Sequence, residues 1–146
     1  MVAPTILYRV EDEDSRARYL SGKGILAEDT ETRVDFRRPN QQLRDELENH
    51  VDWSNRVPTV LISTYSEKNV ASREAERRVR EGKKNVVVYT IDSREKDRPM
   101  EYREMRRLMK KLGLKIPYYA WNNSKYEFVV LYNVPESAVL YWEEYW

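Results

Sequence analysis

Pro58-Thr-Val-Leu-Ile-Ser-Thr-Tyr-Ser66, continuing through Glu67 to Gly82, decides the fold. Thr59 to Ser63 is β-branched, apolar and short, which predicts one buried strand. Ala71, Ala75 and Val79 recur every four residues and predict a helix with a narrow apolar stripe. Ser66 is placed to cap that helix, since its hydroxyl oxygen can accept from the first free N–H groups. Gly82 permits the left-handed turn that ends it. Ser63, Thr64 and Tyr65 are therefore expected where a buried strand hands over to a helix. Such a junction gives polar groups a rigid base, although serine and threonine there are commonly turn-formers.

The rest of the chain extends this pattern on both sides. Thr5 to Val10 alternates as a first strand ending near Arg9. Asp12 or Asp14 can open a short helix carrying Ala17 and Leu20, and Ile25 to Ala27 follows as an extended piece. Residues 28–39 read as a charged loop with Arg33, Arg37 and Arg38. Asn40 is a good cap for a helix over 41–51, where Leu43, Leu47 and Val51 share one face. His50 lies beside Val51 and Trp53 and reads as a packing residue. Residues 85–91 form a second β-prone run. Pro99 suits the first turn of a helix carrying Met100, Met105, Leu108, Met109 and Leu112. Residues 115–126 read as an aromatic loop, 126–132 as a strand, 133–135 as a turn and 138–142 as a final strand. Strands outnumber helices, so an α+β fold is expected, with a split, mainly antiparallel sheet and flanking helices in one domain over 1–146.

Composition bounds the chemistry. The chain has 146 residues, enough for one substantial core. Its 26 basic and 25 acidic residues leave a net charge of +1, which makes no global case for nucleic acid or an anionic membrane. Cysteine is absent and His50 is the only histidine, so thiolate chemistry is excluded and no metal site is expected. No apolar run is long enough to span a bilayer, and no secretory signal is read at the start, so a cytoplasmic location is expected. The basic face of the 99–112 helix (Arg103, Arg106, Arg107, Lys110, Lys111) could touch phosphates, though a solvated face is the commoner meaning. Eleven tyrosines and four tryptophans supply large contact areas with polar tips, suited to a cleft or a partner surface.

Three polar residues stand at strand ends: Arg9, Ser63 and Glu127. Glu127 precedes four apolar residues, and a carboxylate entering a sheet half buried needs a partner or a task. With Leu7-Tyr8-Arg9, the segment Gly22 to Leu26, Ile62-Ser63-Thr64-Tyr65 with Ala71, Glu127 ahead of 128–132, and Val134-Pro135 ahead of Ala138 to Leu140, the chain resembles the ADP-ribosyltransferase-like fold. The likeness is to its arginine–serine–glutamate, cholera-toxin-like branch. It is also similar to uncharacterised fungal ADP-ribosyltransferase-like domains that share the strand-Ser, Tyr-Glu and Pro-x-x-Ala-Val order.

The resemblance implies that NAD is the substrate and that Glu127 is the catalytic carboxylate. It implies that Arg9, Ser63, Thr64, Tyr65 and Tyr126 contact the dinucleotide. It further implies that Tyr118, Tyr119, Trp121 and Asn122 recognise a target, which makes a protein acceptor or partner at the 115–126 stretch the expectation. The chemistry makes a parallel demand: cleaving the nicotinamide–ribose bond needs a carboxylate near an oxocarbenium-like centre. An arginine's planar donor fork suits a phosphate or ribose. No glycine-rich phosphate loop is present, so a Rossmann mode of binding is not expected. Lys125 stands where arginine-modifying toxins carry a second glutamate. That points to another acceptor, to plain NAD hydrolysis, or to a catalytically silent interaction module of the same fold. Tyr65 likewise departs from the Ser or Thr of the motif.

Overall fold

The computed structural model describes residues 3–38, 40–52, 57–95 and 99–146. The elements run β1 (Ile6–Glu11), β2 (Arg18–Leu20), β3 (Gly24–Leu26), α1 (Gln41–Val51), β4 (Leu61–Tyr65), α2 (Lys68–Arg80), β5 (Val86–Asp92), β6 (Tyr102–Glu104), α3 (Met105–Lys111), α4 (Tyr118–Ser124), β7 (Glu127–Leu131), β8 (Asn133–Pro135), a 3-10 turn (Glu136–Ala138) and β9 (Val139–Tyr145). A larger sheet has the order β6-β7-β4-β1-β5-β9, and a smaller one the order β2-β3-β8. Every strand pairing among the described residues is antiparallel. The fold is thus α+β, as the strand and helix patterning predicts.

The larger sheet is nearly two. β1 pairs with β5 along its whole length, from Ile6–Asp92 to Glu11–Val87. β4 pairs with β7 along its whole length, from Leu61–Leu131 to Tyr65–Glu127. Between β1 and β4 the register records one pair, Tyr8–Tyr65. Beyond it the strands part, and the opening between them is the cleft described below.

Three apolar clusters hold the layers. α1 and α3 place Leu43, Leu47, Met105, Leu108 and Met109 against Leu61, Val129 and Leu131, with Phe36 closing the end. The small sheet places Ile25 and Val134 on Leu7, Ile62, Ile91 and Val130. α2 lies on Val10, Val86 and Val88 through Ala71 and Ala75, both wholly buried. Alanine at those two positions lets the helix approach the strands closely.

Several elements differ from expectation. No helix follows Asp12; Arg18–Leu20 is a strand, because pairing with Gly24–Leu26 outweighs local propensity. Ser66 does not cap α2: its N–H donates to the Tyr126 carbonyl, and Glu67 occupies the cap position without a side-chain bond. The central strand is shifted toward its polar end, so Ser63, Thr64 and Tyr65 lie within β4. Pro99 and Met100 precede any helix; Tyr102–Glu104 pairs with β7, and α3 starts only at Met105. Residues 118–124 are a helix, not a loop, entered through Pro117. Asn133–Pro135 is a strand of the small sheet. It is redirected there by Tyr132, whose φ of 66° turns the chain while its hydroxyl donates to the Thr32 carbonyl and accepts from the Val34 N–H. Asn40 does cap α1, accepting from the Leu43 N–H at 3.0 Å. Trp53 lies outside the described residues.

Gly24 is where β3 meets β8 most closely. Its φ is +101°, and a Cβ there would stand 2.0 Å from the Val134 carbonyl oxygen and 2.6 Å from the Glu136 nitrogen. Gly22 also has a positive φ but has open space around it. Gly24→Ala is therefore expected to destabilise the fold by about 2–4 kcal/mol, and Gly22→Ala by about 1–2 kcal/mol. Urea unfolding of the two variants checks the order, and equal losses would contradict the packing account.

Candidate functional site

The cleft at the fork of β1 and β4 encloses about 490 Å3. Its floor carries Arg9, Ser63, Tyr65 and Glu127, with His50 from the end of α1. α2, the 12–17 loop and the inner side of α4 form its walls.

Arg9 fills the fork. It is 8% exposed, and its two terminal nitrogens donate to the Ser63 carbonyl at 3.1 Å and the Ala17 carbonyl at 3.0 Å. Its Nε is buried with no acceptor. A guanidinium held by neutral carbonyls keeps its full charge, and here that charge lies at the floor of a cleft.

Ser63 stands between two titratable groups. Its Oγ is 2.7 Å from Glu127 Oε2 and 2.7 Å from His50 Nε2. His50 Nδ1 in turn lies 3.2 Å from Thr59 Oγ1. Ser63 has one proton to give. When it donates to the Glu127 carboxylate, His50 must donate from Nε2 and accept the Thr59 hydroxyl at Nδ1. When Glu127 is protonated, the whole chain can run the other way. The His50 tautomer is thus tied to the proton on Glu127. His50 and Glu127 approach to 3.9 Å but do not form an ion pair, because burial keeps the imidazole neutral.

Burial dominates both groups. It pushes the Glu127 carboxyl up from 4.5 to about 7, opposed by the Ser63 hydrogen bond and by Arg9. It pushes the His50 imidazole down from 6.5 to about 4, helped by the Arg9 and Arg16 charges. Burial likewise raises the Tyr65 hydroxyl, so it stays protonated. A carboxyl poised near neutrality in a cleft is the usual mark of a reactive group.

The structure brings Arg9, Ser63, Tyr65 and Glu127 to one cleft, with Arg9 and Ser63 inside β1 and β4 rather than at their ends. It does not bring Thr64 to them. Thr64 is wholly buried and its Oγ1 donates to the Phe128 carbonyl, on the far side of β4. Tyr126 does not line the cleft; its ring lies 5.5 Å from the Lys125 ammonium. Tyr118, Tyr119, Trp121 and Asn122 lie exposed on α4, outside the cleft, while Ala120 and Asn123 face in. His50, read as packing, belongs to the site. No local sequence pattern pairs His50 with Ser63, thirteen positions on.

The cleft walls carry further cations, each matched by a carboxylate. Arg16 bridges Glu28 at 2.7 Å, Arg78 bridges Asp12 at 3.1 Å and Glu74 at 2.8 Å, and Lys83 bridges Asp14 at 2.6 Å. Arg77 bridges Glu74 at 2.6 Å and also Glu81. These bridges pin the 12–17 loop to α2 and to Glu28.

The chain belongs to the family described as domain of unknown function DUF7587, whose model matches residues 2–142. No curated protein matches it. Among solved structures it is similar to a protein named EcPltA, with a TM-score of 0.58 at 11% identity, over 97% of this chain and 75% of that one. At that identity the likeness concerns the fold alone.

The opposite shifts of His50 and Glu127 set a test of the site. The raised Glu127 pKa favours folding while the carboxyl is protonated, and this contribution falls as pH rises from about 4.5 to 7. The lowered His50 pKa works oppositely: its contribution is complete above about 6.5 and is lost as pH falls toward 4. Each is on the order of 3 kcal/mol, so in the native chain they largely offset. Urea unfolding between pH 4.5 and 7.5 should show stability rising with pH in Glu127→Gln and falling with pH in His50→Gln. Parallel curves for the two variants would contradict the assignment.

Proposed function

We propose that this member of the DUF7587 family cleaves the nicotinamide–ribose bond of NAD, as an ADP-ribosyltransferase or NAD glycohydrolase. The observation that carries the reading is Glu127, half-buried at a strand start, held by Ser63 and poised near neutrality in a cleft floored by Arg9. In the reaction the bond from the ribose C1′ to the nicotinamide nitrogen breaks. Its electron pair goes to the ring and neutralises the ring's positive charge. The positive charge left on the ribose is what ionised Glu127 stabilises, and the same carboxylate can accept from the ribose 2′-hydroxyl. Water or an acceptor then attacks C1′ and gives up a proton.

Each neighbour has a definable part. Ser63 fixes the rotamer of Glu127 through its hydroxyl. His50, backed by Thr59, fixes Ser63. The buried Arg9 guanidinium faces the anionic part of the dinucleotide. Tyr65, uncharged and lining the cleft, offers a ring beside the nicotinamide. Lys125 sits two residues before Glu127, where it cannot serve as a second carboxylate, which favours hydrolysis or an acceptor other than arginine.

One observation favours a second reading, a catalytically silent domain of the same fold. Apart from Arg9, the cations lining the cleft are engaged by carboxylates, so a diphosphate would have to compete for them.

Nicotinamide release from NAD by the purified protein separates the two. Glu127→Gln should lower release roughly a hundred-fold or more with the fold retained by circular dichroism, and Ser63→Ala should lower it about ten-fold. The native rate should rise with pH and level off above about 7, because the ionised carboxylate is the working form. Release that is unchanged in Glu127→Gln would overturn the enzymatic reading.

A further inference from the structure

We propose that the surface formed by α3 and α4, beside the cleft and independent of its chemistry, binds single-stranded nucleic acid. The near-zero net charge of the chain conceals a strong local asymmetry. Over 103–125 the sequence holds Arg103, Arg106, Arg107, Lys110, Lys111, Lys115 and Lys125 against the single carboxylate of Glu104. α3 buries Met105, Leu108 and Met109, which turns Arg107, Lys110 and Lys111 outward. None of these three has a carboxylate partner among the described residues, whereas the cleft cations on the walls are paired. Arg103, Arg107 and Lys111 edge a groove of about 300 Å3 whose lining also includes Phe36, Leu108 and the Glu104 carboxylate, so three cations face one anion there. A groove of that kind suits a phosphate with part of its sugar.

Unpaired cations alone would fit any polyanion. The aromatic residues narrow the choice. Trp121 is 50% exposed and Tyr118 91% exposed, and both stand on α4 directly beside α3. The Arg106 guanidinium lies over the Trp121 ring at 3.6 Å, while its nitrogens hold the Trp121 carbonyl and the Ser124 hydroxyl. Arg106 therefore fixes the indole against one face and leaves the other half of its surface to solvent. A held, half-open indole next to a row of free cations is a stacking platform beside a phosphate track. Duplex bases already stack on each other and present no free face, so the fit is to single strands. An acidic peptide would use the cations but not the ring faces.

Fluorescence anisotropy of the full chain with a fluorescein-labelled oligouridylate of about twelve nucleotides tests this. Binding should weaken about twenty-fold between about 50 and 200 mM salt, as expected for three phosphates contacted on a single strand. The doubly substituted Arg107→Glu, Lys111→Glu protein should lose roughly ten-fold or more in affinity with an unchanged melting temperature. Trp121→Ala should lose roughly five-fold or more, an effect a purely ionic surface would not show. Glu127→Gln should bind the oligonucleotide as the native protein does, so failure of the cleft chemistry and failure of this surface read separately. Absence of binding, equal binding to a duplex of the same length or to polyglutamate, or indifference to all three surface substitutions would overturn the proposal.

Discussion

A buried guanidinium in the fork between β1 and β4 is the interaction on which the rest depends. The two strands share one register pair and then separate, which leaves two edges of backbone facing a gap. Arg9 spans it by donating to carbonyls on both sides, one in β4 and one in the 12–17 loop. Removing a charge from water is costly; burial lowers the Arg9 pKa, and the nearby Glu11 carboxylate leads the groups that oppose the shift. The fork therefore holds a charge at the floor of a cleft, and the nearby Glu127 carboxyl is pulled back toward its ionised form. Without the fork, Ser63 and Glu127 would lie on a continuous sheet with no room before them.

The residues around Glu127 show how position in a sheet tunes a carboxyl. Tyr65–Glu127 is the terminal pair of the β4–β7 ladder, so Glu127 has backbone order on one side and the cleft on the other. Burial raises its pKa, and one hydroxyl lowers it. That hydroxyl is itself held by an imidazole kept neutral by the same burial. The arrangement is a hydrogen-bonded chain of single protons, in which every donor has one acceptor and reversal of one bond reverses all.

Much of this was legible in the sequence, and the failures have specific causes. The cap at Asn40, the strand over 86–92 and the order Arg9, Ser63, Glu127 follow from local chemistry and were readable. Thr64 departs from the expectation because strand alternation places it opposite Ser63, where it is wholly buried. His50 is not legible as a site residue because it lies thirteen positions from Ser63, and no periodicity reports such an encounter. The 118–124 helix is not legible because Tyr-Tyr-Ala-Trp-Asn-Asn has weak intrinsic helix propensity, and Arg106, from another element, bonds its last turn at the Trp121 carbonyl and the Ser124 hydroxyl. The 102–104 strand was read as helix because Met100 and Met105 fit a helical face, while its pairing partner lies twenty-six residues away. The basic face of α3 is visible in the sequence, but net charge does not report how charge is distributed over the surface.

β9 gives the molecule an unguarded border. It pairs with β5 on one side, and its other side carries no strand among the described residues. Leu140, Tyr141 and Trp142 are each about half exposed along it. A seven-residue border with aromatic side chains is a template onto which another chain can add. Glu143 and Glu144 are the only charged residues of the strand, and Glu143 is drawn toward Lys68. At high concentration this border, interrupted by only two carboxylates, is the place where a second chain could extend the sheet.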